Sequence, residues 1–357
     1  MTAVLLTGAG GLVGAEVATR LHRRGRHVVA LTHRTPGIVD CAGNRLPATA
    51  FADDPEAPVT AVRGDVRAPG FGLDASAMAG RVGAIVHCAA TTDFAAPQRD
   101  YDELNVAGTA NACALALELD VPLVYVSTAY VCGRREGGIA EDDLSDAHGF
   151  GNGYERSKFD AETHVRNTEG LRWSIVRPGI VTGYTGTGAI RDYKNLYTVV
   201  KLIVEGKLRT LPGRYDATLS LAPVDFVADT VVAAVTDFTE HRTFHAVGAD
   251  PLSLRGMSEV LAEYPSFEVA RFVPKSAFVL ADLGDLEREY YLRIGAQYTG
   301  YFDARRSFDT ANTAALLGTP PPDTGPAYLR TLLDFCTESG YLGAPLASVD
   351  EVVRCSS

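Results

Sequence analysis

The 357-residue chain lacks the marks of several protein classes. Its six cysteines, Cys41, Cys88, Cys113, Cys132, Cys336 and Cys355, include no CxxC pair, and several lie in apolar runs such as Val86-His87-Cys88-Ala89. This spacing argues against a disulfide framework or a zinc site and reads as reduced core cysteines of a cytoplasmic protein. No apolar stretch approaches the roughly 20 residues that span a bilayer, so no membrane partner is expected. A basic leader is missing too: Met1-Thr2-Ala3-Val4-Leu5-Leu6-Thr7 runs straight into glycines and reads as a buried strand, not a signal peptide. There is no dense Lys/Arg stripe. With 33 basic against 44 acidic residues and a formal charge of -11, a nucleic-acid surface is excluded. No internal repeat and no low-complexity tract occurs.

What is present is an ordinary globular composition, 46% apolar and 22% charged. Its length allows one large α/β unit and a smaller lobe. The first half alternates short aliphatic runs with amphipathic stretches, the pattern of a parallel sheet wrapped by helices. Strands are expected at 4–7, 27–32, 59–63, 82–87, 123–127 and 173–177. Helices are expected at 12–24, 102–119 and 154–168. After Gly183 the rhythm changes, with a helix at 196–205, returns to the sheet near 220–224 and 244–247, and a helix at 225–238 between them. Further helices are expected near 252–263, 275–293 and 326–338. The fold class implied is a Rossmann-type doubly wound parallel sheet with a smaller C-terminal α+β lobe. Residues 1–183, with returning segments about 220–247, would bind a dinucleotide. Residues 184–219 and 248–357 would form the substrate lobe. The long glycine-rich loop at 133–153 is a candidate lid.

Gly8-Ala9-Gly10-Gly11-Leu12-Val13-Gly14 stands between the first strand and the first helix. Side chains at Gly8 or Gly11 would block backbone N–H groups from approaching a diphosphate. The helix N-terminus adds partial positive charge, and Gly14 lets helix and strand pack closely. Gly10, Leu12 and Val13 complete the loop. At the end of strand two, Thr32 replaces the acid that would hold an NAD ribose, and Arg34 follows at a position suited to a 2′-phosphate. NADPH is therefore favoured, with NADH left open. Asp65, followed by Val66 after strand three, is suited to accept from an adenine amino group or to cap a turn.

Tyr154-Glu155-Arg156-Ser157-Lys158 places a phenol and an amine one helical turn apart. A nearby ammonium favours phenolate and eases proton transfer, and Lys158 can also hold the nicotinamide ribose. Thr128, at the carboxyl end of strand five, is placed to polarise a substrate oxygen, with Ser127 its local competitor.

These stretches resemble the extended short-chain dehydrogenase/reductases. The similarity is greatest to the male-sterility-like branch, which holds thioester-reductase domains and fatty acyl-CoA reductases. The matching segments are Thr7–Gly14, His87–Phe94, Asn105–Thr109, Val126–Val131, Tyr154–Lys158, Val176–Ile180 and Ala222–Ala228. The resemblance implies a catalytic group of Thr128, Tyr154 and Lys158. It also implies cofactor contacts from Ala89, Ala90 and Thr91 and from Pro178, Gly179 and Ile180, and an ordering role for Asn105 at a sheet–helix junction. Val131-Cys132-Gly133 replaces the V-Y-G of sugar-nucleotide epimerases, which leans toward the reductase branch.

The expected function is reduction of a carbonyl by NADPH. The substrate is an acyl thioester on coenzyme A or on a carrier protein arriving in trans, or else a ketone or aldehyde. A nucleotide-sugar epimerase or dehydratase and a non-catalytic NADP-binding protein remain as alternatives, opposed respectively by Thr32/Arg34 and by the retained Tyr/Lys pair. Monomer and homodimer both stay open. Other residues read as structural. His87 is expected to be a packed histidine, His241 and His245 no metal pair, and Trp173 and Tyr290-Tyr291 core or pocket wall. Glu141-Asp142-Asp143 is expected to form a solvated lid face, and Asp225 to cap a helix.

Overall fold

The computed structural model describes residues 2–33 and 37–343. Arg34 and Cys355 therefore lie outside the described residues. Eight strands form one parallel sheet: β1 (Ala3–Thr7), β2 (Val28–Thr32), β3 (Thr49–Ala50), β4 (Val59–Arg63), β5 (Val82–His87), β6 (Leu123–Val126), β7 (Trp173–Pro178) and β8 (Arg242–Ala246). Their spatial order is β8-β7-β6-β5-β1-β2-β4-β3. Strands β1, β6 and β7 are buried almost throughout, as a sheet covered on both faces demands.

One face packs on α1 (Leu12–Arg23) and a later helix at Val224–Thr236, through Val4, Leu6, Ala18, Val227 and Val231. The other face packs on α2 (Gly108–Leu119) and α3 (Gly153–Asn167), through Leu5, Ile85, Leu115, Ala161 and Val165. A third apolar cluster unites α4 (Leu196–Val204), Leu219, the helix at Leu254–Leu261, the Tyr301-Phe302 pair and the helix at Pro326–Glu338. The chain leaves β1 toward β2 but returns beyond β1 to form β5. The order thus reverses between those two strands, where open α/β sheets carry a crevice at their carboxyl ends.

Several local expectations fail. The helix read at 102–119 begins as a π-helical stretch, Tyr101–Ala107, before regular α2. The helix read at 275–293 is only Asp285–Arg293, because Pro274 and Gly284 punctuate the segment and leave isolated 3-10 turns at Lys275–Ala277 and Leu280–Asp282. The Glu141-Asp142-Asp143 run is solvated only in part: Asp142 is exposed, but Glu141 is buried. The buried Glu141 carboxylate accepts from the backbone N–H groups of His245 (2.9 Å) and Asn312 (2.6 Å) and from the Thr313 hydroxyl (3.0 Å). The loop itself is clasped: Gly137–Ile139 pairs with Arg306–Phe308, and Arg306 donates to the Gly133 and Arg135 carbonyls. A loop so paired does not swing as a free lid. Asp225 is not the helix cap, a place held by Pro223; its carboxylate instead receives the Thr185 N–H and hydroxyl. His241 and His245 have separate neighbours, Leu171 O for one and Asp309 O and Arg177 for the other.

Candidate active site

The glycine loop is built by steric exclusion. Gly8 has φ of +70°, and a Cβ there would stand 2.8 Å from the Ala89 nitrogen. A Cβ on Gly14 would lie 2.1 Å from the Gly8 carbonyl oxygen, so α1 can meet β1 this closely only without a side chain. No side chain caps α1, whose N-cap is Gly11. Its first-turn N–H groups therefore lack a side-chain partner where the loop opens onto a cavity, the donor set that suits a diphosphate. Thr7 ties the two strand ends together. Its oxygen accepts from Cys88 and Ala89 N–H (3.1 Å each) and pairs with His87 Nδ1 at 2.9 Å. His87 is buried and held down at about 3 by burial, then by the Lys158 charge, so it stays neutral.

Two cavities meet at this loop, since Gly8, Gly10, Gly11, Cys88 and Ala90 line both. One, of about 500 Å³, adds Gly64, Asp65, Val66, Arg67 and Ala89 on the β2/β4 side. There Asp65 is held below the usual carboxylate range, at about 2, first by the Arg67 side chain. Arg67 donates to Asp65 through Nε (3.0 Å) and Nη2 (2.6 Å), and its N–H closes the turn at 3.0 Å. Asp65 thus closes a turn and faces the crevice at once. Thr32 spends its hydroxyl on the Val62 carbonyl at 3.2 Å.

The other cavity, of about 360 Å³, runs from Leu12, Val13 and Gly14 to Thr128, Tyr154, Gly179 and Ile180. Strand β6 delivers Thr128, and the first turn of α3, capped by Asn152, delivers Tyr154. Enclosure raises the Tyr154 phenol above its ordinary value, and the neighbouring Thr128 hydroxyl pulls it back down. Lys158 does not reach Tyr154 in this arrangement. It is buried one turn deeper, donating to the Val126 carbonyl at 2.8 Å with its nitrogen 4.2 Å from the Tyr125 ring centre. Burial lowers its ammonium to about 7, against the pull of Cys88 and Glu162. Ser127, the competitor of Thr128, faces the opposite way and donates to buried Glu162 at 2.7 Å.

Two residues expected at the cofactor, Pro178 and Thr91, are not among the lining residues of either cavity. The Pro178 carbonyl accepts from Thr128 (3.3 Å), and Thr91 is tied by N–H and carbonyl to Asn105 (2.9 and 3.1 Å). Asn105 also donates to Ser157 at 2.9 Å, joining the β5 end to α3. Sequence reasoning missed Arg191, which braces the loop through Gly10 O (3.1 Å) and Val39 O. It also missed the wall contributed by α4 and by Tyr298, Tyr301 and Phe302. The only signal was the clustering of those three aromatics within five positions.

An uncapped glycine-loop helix opening onto the same cavity as a Tyr/Thr pair, at the switch point of a parallel sheet, defines an NAD(P)-dependent oxidoreductase of the extended short-chain dehydrogenase/reductase type. The chain belongs to the male sterility protein family, whose model matches residues 6–231. It is similar to the L-2-aminoadipate reductase large subunit of Penicillium chrysogenum, 31% identical over 259 residues that make up 64% of this chain and 18% of that protein. The chain thus spans a small part of that relative. Among solved structures, the terminal R domain from the myxalamid PKS-NRPS biosynthetic pathway superposes with a TM-score of 0.79 and 28% identity, over 97% of this chain and 93% of that one. A thiolation-reductase di-domain from an archaeal non-ribosomal peptide synthetase shares the fold, with a TM-score of 0.70 and 17% identity over 96% of this chain and 76% of that one. Among the described residues no helix is long and apolar enough to cross a membrane.

Proposed function

We propose that this protein is an NADPH-dependent reductase acting on an acyl thioester, carried on coenzyme A or on a carrier protein supplied in trans. The observation that carries this reading is the single cavity joining the Gly8–Gly14 loop to the Thr128 and Tyr154 hydroxyls. Relatives named as aminoadipate reductase and as the R domain of a PKS-NRPS pathway support the thioester as substrate. Gly8, Gly11 and the first turn of α1 would hold the diphosphate. Asp65, Val66 and Ala89 would meet the adenosine half, and Ala90, Gly179 and Ile180 the nicotinamide half. Thr32 in place of a ribose-binding acid, with Arg34 beside it, favours NADPH over NADH. Residues 184–219 and 248–357 would form the substrate lobe. The five described cysteines are free thiols, as a reducing cytoplasm would keep them.

The dinucleotide, when bound, supplies the hydride, so that one NADPH and one proton convert a thioester to an aldehyde and a free thiol. Tyr154 donates to the carbonyl oxygen as negative charge develops and its proton passes to it, while the Thr128 hydroxyl turns from the Pro178 carbonyl to donate to the same oxygen. Lys158, its ammonium lowered to about 7 by burial, stands one helical turn behind Tyr154, and we assign it the assisting role there. The adduct is a hemithioacetal. Its carbon–sulfur bond breaks as the hydroxyl proton leaves with the thiolate, releasing aldehyde, and a second round on the aldehyde gives an alcohol. Replacing Tyr154 by Phe removes the proton donor. NADPH oxidation with a thioester should fall by about 10²–10⁴ while NADPH still binds. Wild-type turnover in Tyr154→Phe would overturn the assignment.

A further inference from the structure

The cavity's two ends differ in chemistry. Away from the glycine loop, its wall is made of Tyr130, Leu196, Val199, Leu219, Tyr301 and Phe302, all buried. Phe94 closes over this wall beside the catalytic phenol, its ring centre 5.7 Å from that of Tyr154, 5.4 Å from Tyr298 and 5.8 Å from Tyr301. The polar atoms of the wall have partners within the protein. The Tyr130 hydroxyl accepts the Ser220 N–H (3.5 Å), and the Tyr298 hydroxyl donates to Asn195 (3.4 Å). Among the described lining residues the only charged ones are Asp192 and Lys194. Asp192 is held by Arg191 at 2.9 Å and Lys194 is exposed, so neither belongs to the buried wall. Glu155 lies behind Tyr301, outside the lining, and takes the Gly151 N–H at 2.7 Å.

We infer that this end is an acyl subsite for an uncharged, hydrophobic acyl group, a medium aliphatic chain or an aryl ring, and that it rejects acyl groups bearing a carboxylate or ammonium. An apolar chain leaving the carbonyl between Thr128 and Tyr154 enters the space between Phe94, Val199 and Leu219 and sheds water there. A charge at its tip would be stripped of water with no counter-charge to meet it. This rests on the thioester reading above and specifies its substrate class.

The test uses pantetheine thioesters of propanoate, hexanoate and adipate (one end free) with NADPH and the whole chain. Each added methylene should raise kcat/KM by about fourfold, and the adipoyl thioester should fall about a hundredfold below the hexanoyl one. Val199→Phe fills the subsite and should lower the hexanoyl-to-propanoyl ratio at least about tenfold. NADPH binding serves as the folding control, and Leu196→Phe serves in its place if Val199→Phe does not fold. An adipoyl thioester reduced as fast as the hexanoyl one, or a ratio unmoved in a folded variant, overturns the inference. If no thioester consumes NADPH, the thioester reading fails instead. Hexanal against 6-oxohexanoate then decides the subsite by the same comparison.

Discussion

The two ends of the active cavity are built on opposite principles. At the glycine-loop end, the lining comes in short contiguous runs, Gly8–Gly14 and Cys88–Ala90, shaped at Gly8 and Gly14 by exclusion of side chains. At the acyl end, Tyr130, Leu196, Val199, Leu219 and Tyr301 arrive from separate segments and supply only apolar volume. Backbone recognition of a diphosphate tolerates almost no variation in shape, so it leaves a motif. An apolar wall is met by many combinations of side chains, so it leaves none. Behind Ser127, outside the lining of both cavities, lies a buried tie. Arg177 reaches Glu162 at 2.6 Å and the Glu141 and Asp143 carbonyls at 3.0 and 2.8 Å, while Glu162 also holds Ser127. Burial works against the Glu162 charge, but Arg177 and then Arg166 bring its carboxyl down to about 2.

Cutting that tie should weaken the fold beneath both ends and have the largest effect. Glu162→Gln leaves the Arg177 charge buried with half its support, and urea unfolding should show a loss of about 3 kcal/mol or more. Unchanged stability would mean that Arg177 does not depend on Glu162 for its burial. Gly14→Val should damage one end only. Its side chain must push against Gly8 O, and NADPH affinity by fluorescence titration should fall about a hundredfold, near 3 kcal/mol. Chain-length preference among acyl substrates should survive in whatever activity remains. Arg34→Ser should be milder, raising the KM for NADPH about tenfold with that for NADH unaffected; equal effects on both cofactors would remove Arg34 from phosphate recognition.

The smallest effect concerns pH. Lys158 is depressed to about 7 in the folded protein from 10.5, so between those values the unfolded chain binds more protons than the native one. Stability from this group therefore rises as pH rises through that window, and is lowest below the folded value. Between pH 7 and 8.5 wild type should gain stability relative to Lys158→Met, a difference in which the titration of tyrosines and cysteines common to both proteins cancels. Parallel curves for the two proteins would show that Lys158 is not desolvated as described.

Much of the sheet was legible because its strands are short aliphatic runs and its turns carry glycine. The loop at Gly8–Gly14, Thr128 and Tyr154 fell where strand ends and helix starts placed them. The misreadings share another cause. Glu141 looked like part of a solvated acidic run, and only the approach of Asn312, Thr313 and His245 makes it a buried acceptor. Lys158 sits one turn from Tyr154 as the spacing requires, yet its long chain finds Val126 O instead of the phenol. Asp225 had the residue type of a cap, but Thr185 claims its carboxylate.

By itself, the sequence determined the parallel sheet, its glycine crevice and the residues presented at its carboxyl edge. Those depend on local backbone preference and on contacts between neighbours in the chain. The clasp on the 133–153 loop, the Glu162–Arg177 tie and the apolar acyl wall were decided only by tertiary packing. Each joins side chains far apart in the chain, whose burial and partners exist only once the segments have met.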